Sequence, residues 1–149
     1  MTGREYLEKV SKINVELEIL HDEITEVRAL AEKCTSQLHA APSHSSGRSI
    51  LEDRIASLVE LEDQLNARIS EIAYTGEKAF LLINRLEDFT LRKILLRRYL
   101  KTEPWNDIAR ELKYSLQRVF ELHDKAIVAF EKVWKESAEK SRVKQSKSE

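Results

Sequence analysis

Cys34 is the only cysteine in the chain, which excludes an internal disulfide and any zinc site built from several cysteines. Three glycines and two prolines leave little turn chemistry, and with 34% charged residues the composition reads as long helices, close to that of coiled coils. No apolar run reaches the roughly 18 residues that span a bilayer, and the N-terminus has no signal-peptide core. A cytoplasmic protein without a membrane is the expectation. Metal-ligand spacing is missing from the histidines at 21, 39, 44 and 123, and neither a Gly-rich phosphate loop nor a nucleophile motif occurs. The sequence therefore predicts no enzyme, no cofactor and no metal. Cys34 lies on an apolar seam and reads as a buried small side chain rather than a nucleophile.

Charge is plentiful but unevenly spread. The chain carries a net −1, yet residues 1–90 hold 10 basic and 17 acidic side chains, whereas residues 91–149 hold 15 basic and 9 acidic. An acidic half joined to a basic half points to a polyanionic partner for the second half alone.

Apolar residues run from Tyr6 through Val10, Ile13, Leu17, Leu20, Ile24, Val27, Ala31 and Cys34 to Leu38, with steps alternating four and three. That is a coiled-coil seam. Thr2 and Glu5 have the spacing of a capping box at its start, and a helix from Glu5 to Leu38 at ~1.5 Å per residue is about 50 Å long. The segment HAAPSHSSGR, His39 to Arg48, interrupts the periodicity with Pro, Gly and three Ser. Ser49 and Glu52 offer a second capping box, followed by Leu51, Ile55, Leu58, Leu61, Leu65, Ile69 and Ile72, with a one-residue slip near Leu58 and Leu61. Two long amphipathic helices so joined fold most simply into an antiparallel hairpin; a kinked parallel dimer is the alternative. Thr75 and Gly76 are expected to bend or interrupt the second helix before Ala79, Phe80, Ile83 and Leu86 resume the stripe. The helix should then end at Leu86 or Glu87.

Leu91 to Leu100, LRKILLRRYL, predicts a further helix with Leu91, Ile94, Leu95 and Tyr99 facing inward. Glu103 and Pro104 punctuate the chain next, Pro suiting a first helical turn where its missing N–H is not needed. From Trp105 to Leu122 the apolar spacing is that of a helix-turn-helix: Trp105, Ile108, Ala109, Leu112, Tyr114, Val119 and Leu122 fall where two short helices interlock at roughly 90 to 120°. Ala109 lets the second helix lie close, and Ser115 can cap it.

The last helix is expected from Leu116 to Trp134. Its inner face is Val119, Leu122, Ala126, Ala129 and Val133, and a second row runs Leu116, Phe120, His123, Ile127, Phe130 and Trp134. Together these make a stripe of roughly 160°, wider than a three-helix core requires. The hairpin arm or a second subunit must cover the second row. Trp105 and Trp134 sit at core spacing and read as packing. The tail ESAEKSRVKQSKSE holds no core former except Val143 and is predicted to be disordered. The expected chain is thus all-α: a helical hairpin over 1–87 with a break at 39–48, a helix-turn-helix domain over 88–135, and a disordered tail over 136–149.

The motifs LLRRY at 95–99, DIARELKYS at 107–115 and RVFELHDKAI at 118–127 resemble region 4 of sigma-70-type factors, the domain that reads the upstream promoter element. REYLEKV near the N-terminus, TSQL before the Ser-rich break, SGRSILEDRIASLVELE, and RRYL followed by PWNDIA resemble the layout of small phage and prophage transcription regulators of the ArpU type. This resemblance covers positions 4 to about 130, and it implies a DNA-binding regulator of phage or prophage genes that also meets RNA polymerase. Two departures from the sigma pattern stand out. Lys113 stands where the turn usually has Gly, and a non-Gly residue there at positive φ costs roughly 1 kcal/mol. Leu116 and Phe120 stand where sigma factors expose arginines, which lowers the capacity to read guanine through bidentate Arg.

A recognition helix offers side chains to base edges from its exposed first two turns, with cations alongside for phosphates. Here Gln117 suits adenine, Glu121 suits cytosine, and Arg118 and Lys125 suit phosphate or guanine, beside Asp124. Arg97, Arg98, Lys101, Arg110 and Lys113 are the cations available to the backbone around the motif, with Ser115 at the helix start. The two acidic residues on this face weaken binding to double-stranded DNA and call for dimerisation, through the coiled coil or the last helix, or for help from polymerase. A different class of function uses the same fold as a helical adaptor that binds protein only, with Leu116, Phe120, Ile127 and Trp134 as anchors.

Overall fold

A computed structural model describes residues 1–43 and 46–148 of the chain. Among these, every regular element is helical: α1 (Gly3–Ala40), α2 (Ser46–Ile83), α3 (Phe89–Leu95), which continues into a π-helical turn at Leu96–Leu100, then α4 (Trp105–Leu112) and α5 (Leu116–Lys147). None of them is long and apolar enough to cross a membrane. The chain divides into two compact units, one of Met1–Val15 with Tyr74–Glu149 and the other of Glu16–Ala73. This division departs from the expected boundary at 87, because α1 and α2 each give residues to both units.

In the unit Glu16–Ala73, α1 and α2 lie antiparallel within one chain. Ion pairs run in opposite directions along them: Glu16 accepts from Arg68 at 2.9 Å, and Arg28 donates to Glu62 at 2.8 Å. The apolar seam meets as expected, with Ile24, Val27 and Leu65 buried against Leu20, Leu58 and Ile69. Cys34 is buried on the same seam. The slip near Leu58 resolves in favour of Glu62, which lies half-buried at the seam edge, while Leu61 stays 41% exposed. A long polar side chain suits that edge because its stem covers apolar surface while its carboxylate reaches the Arg28 guanidinium.

The predicted break is shorter than expected. Helix α1 runs to Ala40 and α2 starts at Ser46, so Ser49 sits inside α2 and caps nothing. His44 and Ser45 of the break lie outside the described residues. The capping box at Thr2 is present: Glu5 N–H donates to Thr2 Oγ1 at 3.2 Å, and Thr2 N–H donates to a Glu5 carboxylate oxygen at 2.8 Å. Thr75 and Gly76 do not interrupt α2, which ends three residues before Leu86 in a tight turn.

The other unit is built around the first turns of α1. Tyr6, Leu7 and Val10 pack with Ala79, Leu82, Ile83 and Leu86 from the α2 end, with Leu95 and Tyr99, and with Ala126 and Phe130 of α5. The later part of the second apolar row of α5, Ile127, Phe130 and Trp134, is therefore covered by its own chain. Tyr6 stacks on Trp134 with ring centroids 4.4 Å apart, and the Trp134 indole N–H donates to Met1 O at 3.2 Å. Gly3 permits the close approach: its N–H donates to Glu131 at 2.7 Å, and a Cβ there would sit 2.9 Å from that carboxylate and 3.0 Å from the Phe130 ring. Leu82, rather than Phe80, fills the inward position on α2, and Phe80 is 46% exposed.

Two expectations for the C-terminal part change. Helix α5 does not stop near Trp134 but continues to Lys147, so residues 136–147 are helical instead of disordered, although nearly all are exposed. Glu, Lys, Gln, Ala and Arg make up eight of its twelve residues, and these good helix formers propagate a helix already nucleated by packing. The predicted α3 core residues Ile94, Leu95 and Tyr99 are buried.

Leu7 is fully buried whereas Leu61 is not, and substitutions at the two leucines should separate accordingly. Leu7→Ala should lower stability by about 2–5 kcal/mol, and Leu61→Ala should stay within about 0.5 kcal/mol of the parent. Urea unfolding followed by far-UV dichroism checks both.

Candidate nucleic-acid interface

Helices α4 and α5 are joined by three residues, and the junction follows from local chemistry. Lys113 takes a left-handed conformation, φ 59° and ψ 36°. Tyr114 N–H then reaches back to Ala109 O at 3.1 Å and Lys113 N–H to Arg110 O at 3.3 Å, the two bonds of a Schellman end. Ser115 caps α5 as its position predicts, its hydroxyl accepting from Arg118 N–H at 3.2 Å. One apolar cluster locks the two helices: Ile94, Ile108, Ala109, Val119 and Leu122 are buried, with Leu91, Trp105 and Leu112 packed around them. Tyr114 departs from its expected core place and is 45% exposed.

The expected contact residues on α5 lie on one exposed face of its first turns: Gln117, Arg118, Glu121 and Lys125. Arg118 is in an ion pair with Glu121 at 3.2 Å, with both side chains about half exposed. Such a pair is worth little in water and is readily exchanged for a phosphate. Arg110 is likewise exposed and pairs with Asp107 at 3.5 Å. Lys101, Lys113 and Lys125 are exposed, and among the described residues none has an ion pair.

Arg97 and Arg98 are engaged elsewhere. The Arg97 guanidinium binds Glu111 through two nitrogens and Glu103 at 3.1 Å, with only 13% of its side chain exposed. These hydrogen bonds, Glu111's first, raise its pKa further, so the charge is fixed and already matched. Arg98 lies 4.5 Å over the Trp105 ring and donates to Glu103 O at 3.0 Å. Both arginines thus tie the π-helical turn to α4. The docking anchors also thin out. Ile127 and Trp134 pack against the core formed with α1, leaving Leu116 and Phe120, at 40% and 44% exposure, on the outside. Of the two surfaces expected to support a homodimer, the seam is occupied within the chain, and so is the second row of α5 from Ile127 to Trp134.

The π-helical turn was not foreseen. Lys101 N–H bonds to Leu96 O, five residues back, at 3.0 Å. Its last carbonyls are satisfied from α1, where the Asn14 amide donates to Tyr99 O at 3.2 Å and Leu100 O at 3.1 Å. Thr102 follows with φ 52°, a strained setting for a β-branched residue. Tyr99, placed inward by this turn, meets His123 of α5: the hydroxyl and Nε2 are 2.7 Å apart. Asp124 stands 3.9 Å from the other ring nitrogen, Nδ1. Trp105 closes the cluster with its ring edge-on to both His123 and Phe120. The only hint in the sequence was that His123 interrupts an otherwise apolar row.

No protein-family profile, curated protein or solved structure matches the chain.

Burial holds the His123 pKa below its ordinary value, with Arg4 and Arg98 adding to the effect and Asp124 opposing it. The unfolded chain therefore binds a proton at His123 at higher pH than the folded one. Stability should be insensitive to this group above about pH 6.5, then fall as pH drops through that value towards the depressed folded pKa. Urea midpoints at several pH values should show the fall in the parent and a smaller one in His123→Gln; an equal fall in both contradicts the assignment.

Proposed function

We propose that the chain is a DNA-binding transcription regulator of phage or prophage genes, in which α4, the Lys113 turn and α5 act as a helix-turn-helix of the sigma region 4 kind. The observation that carries this reading is the junction itself. Ile108, Ala109, Val119 and Leu122 close one core, while Gln117, Arg118, Glu121 and Lys125 share the exposed face of the capped first turns of α5. Residues of those types on such a face pair with base edges and phosphates in a major groove. Lys101, Arg110 and Lys113 add cations around the junction for the DNA backbone. The two carboxylates nearby, Glu121 and Asp124, keep affinity modest, and RNA polymerase is the partner that the sigma resemblance implies. Regulation by recruitment suits a reader of low intrinsic affinity.

A second reading has one specific observation in its favour. Leu116 and Phe120 are exposed side by side on the first turns of α5, where a purely DNA-reading helix gains nothing from them. In that reading the chain is a helical adaptor whose α5 docks on a protein.

Binding to random-sequence duplex fragments at several salt concentrations separates the two. The DNA reading expects salt-dependent binding in which Arg118→Ala with Lys125→Ala lowers the slope of log affinity against log salt by about 1 to 2, the share of one or two phosphate contacts. Absence of binding at low salt contradicts it. A double variant that binds like the parent moves the interface off this face.

A further inference from the structure

A second surface of the same unit shares only Lys101 with the residues assigned to DNA. The outer side of α3 and the π-helical turn presents Phe89, Arg92, Lys93, Leu96 and Lys101, and together with Asn84 these line an open groove of about 370 Å³. Phe89 is 68% exposed, a large aromatic left in water at the rim. The Arg92 guanidinium lies 5.7 Å from its ring centroid. Arg97 borders the groove too, but its charge is taken by Glu103 and Glu111. Arg92, Lys93 and Lys101 have no ion pair among the described residues. Three cations without an ion pair therefore flank an apolar patch made by Phe89 and Leu96.

We propose that this groove docks an acidic peptide segment that carries an apolar side chain. Charge complementarity selects the acid, since carboxylates supply what the three cations lack. The apolar patch selects a peptide over nucleic acid: a phosphate backbone satisfies the cations but leaves Phe89 and Leu96 in water. It also selects a segment over a small anion, because a small ligand cannot cover an aromatic as exposed as Phe89. An acidic peptide with Leu or Phe between its carboxylates covers both features at once, as amphipathic segments do in grooves. Asn84 adds an amide donor and acceptor at the rim for a peptide group. The proposal goes beyond the DNA reading and stands whether or not that reading holds.

The test uses the full chain and a fluorescein-labelled peptide of Glu and Asp interspersed with Leu and Phe, followed by anisotropy. The same peptide with Lys in place of every acid, and an unrelated duplex DNA, run alongside. The acidic peptide should bind in a salt-sensitive way, and the Lys peptide should not. Phe89→Ala and Lys93→Glu, both on the surface and so compatible with folding, should each weaken binding about tenfold. Arg118→Ala with Lys125→Ala should leave it unchanged. Because no nucleic acid is in the peptide arm, its outcome is independent of the DNA reading. Lack of peptide binding at low salt overturns the proposal, as does equal binding of the Lys peptide or indifference to both variants. Loss of duplex DNA binding in Phe89→Ala and Lys93→Glu, with no peptide bound, overturns it in favour of a nucleic-acid surface.

Discussion

The packing of the first turns of α1 against α5 is the contact on which the unit holding α4 and α5 depends. Tyr6, Leu7 and Val10 share one core with Phe130 of α5, and Ile127 and Trp134 pack against it; without those three α1 side chains that row loses a wall that the α2 end and α3 do not replace. Apolar burial supplies most of the stabilisation, at roughly 1.5–3 kcal/mol for each large side chain fully covered. Polar groups make the fit directional: Gly3 N–H finds Glu131, Met1 O accepts from Trp134, and the Asn14 amide completes the carbonyls that the π-helical turn leaves open. The start of the chain thus serves as the missing wall of a domain far along the sequence.

That wall fixes the rest in turn. Once Tyr99 is held inward, its hydroxyl meets His123, and Trp105 closes over the imidazole from α4. Arg97 and Arg98, which look from the sequence like free cations beside a basic motif, are drawn into holding α4 to the turn before it. The exposed charges that remain on α5 stand on a helix whose start is set by Ser115 and whose approach angle is set by the left-handed Lys113. A face held at both ends in this way has little freedom to re-aim its side chains, which is the condition for recognition without a large ordering penalty.

What could be read from the sequence was whatever depended on local periodicity. The four-three seam of α1, the capping box at Thr2, the Ser115 cap, the inward row of α3 and the paired core positions of α4 and α5 all reach their expected places. The misses arise where local periodicity carries no signal. Leu7 lies off the four-three seam yet is fully buried, because α1 is packed on two sides there and nothing local shows it. Arg97 looked free because Glu103 and Glu111 come near it only after the π-helical turn has formed. The helix past Trp134 looked disordered because it has almost no apolar residue, yet a helix nucleated by packing at Phe130 extends through good helix formers without burying them. For the candidate interface, residue types and face were legible on α5; which cations stay free was not.

Amide hydrogen exchange resolved along the chain tests the central claim most directly. If the first turns of α1 and the middle of α5 form one cooperative core, amides of residues 6–13 and 119–130 should exchange with similar, near-global protection. Fast exchange over 6–13 with 119–130 still protected would contradict the account, because the domain would then stand without the wall assigned to α1.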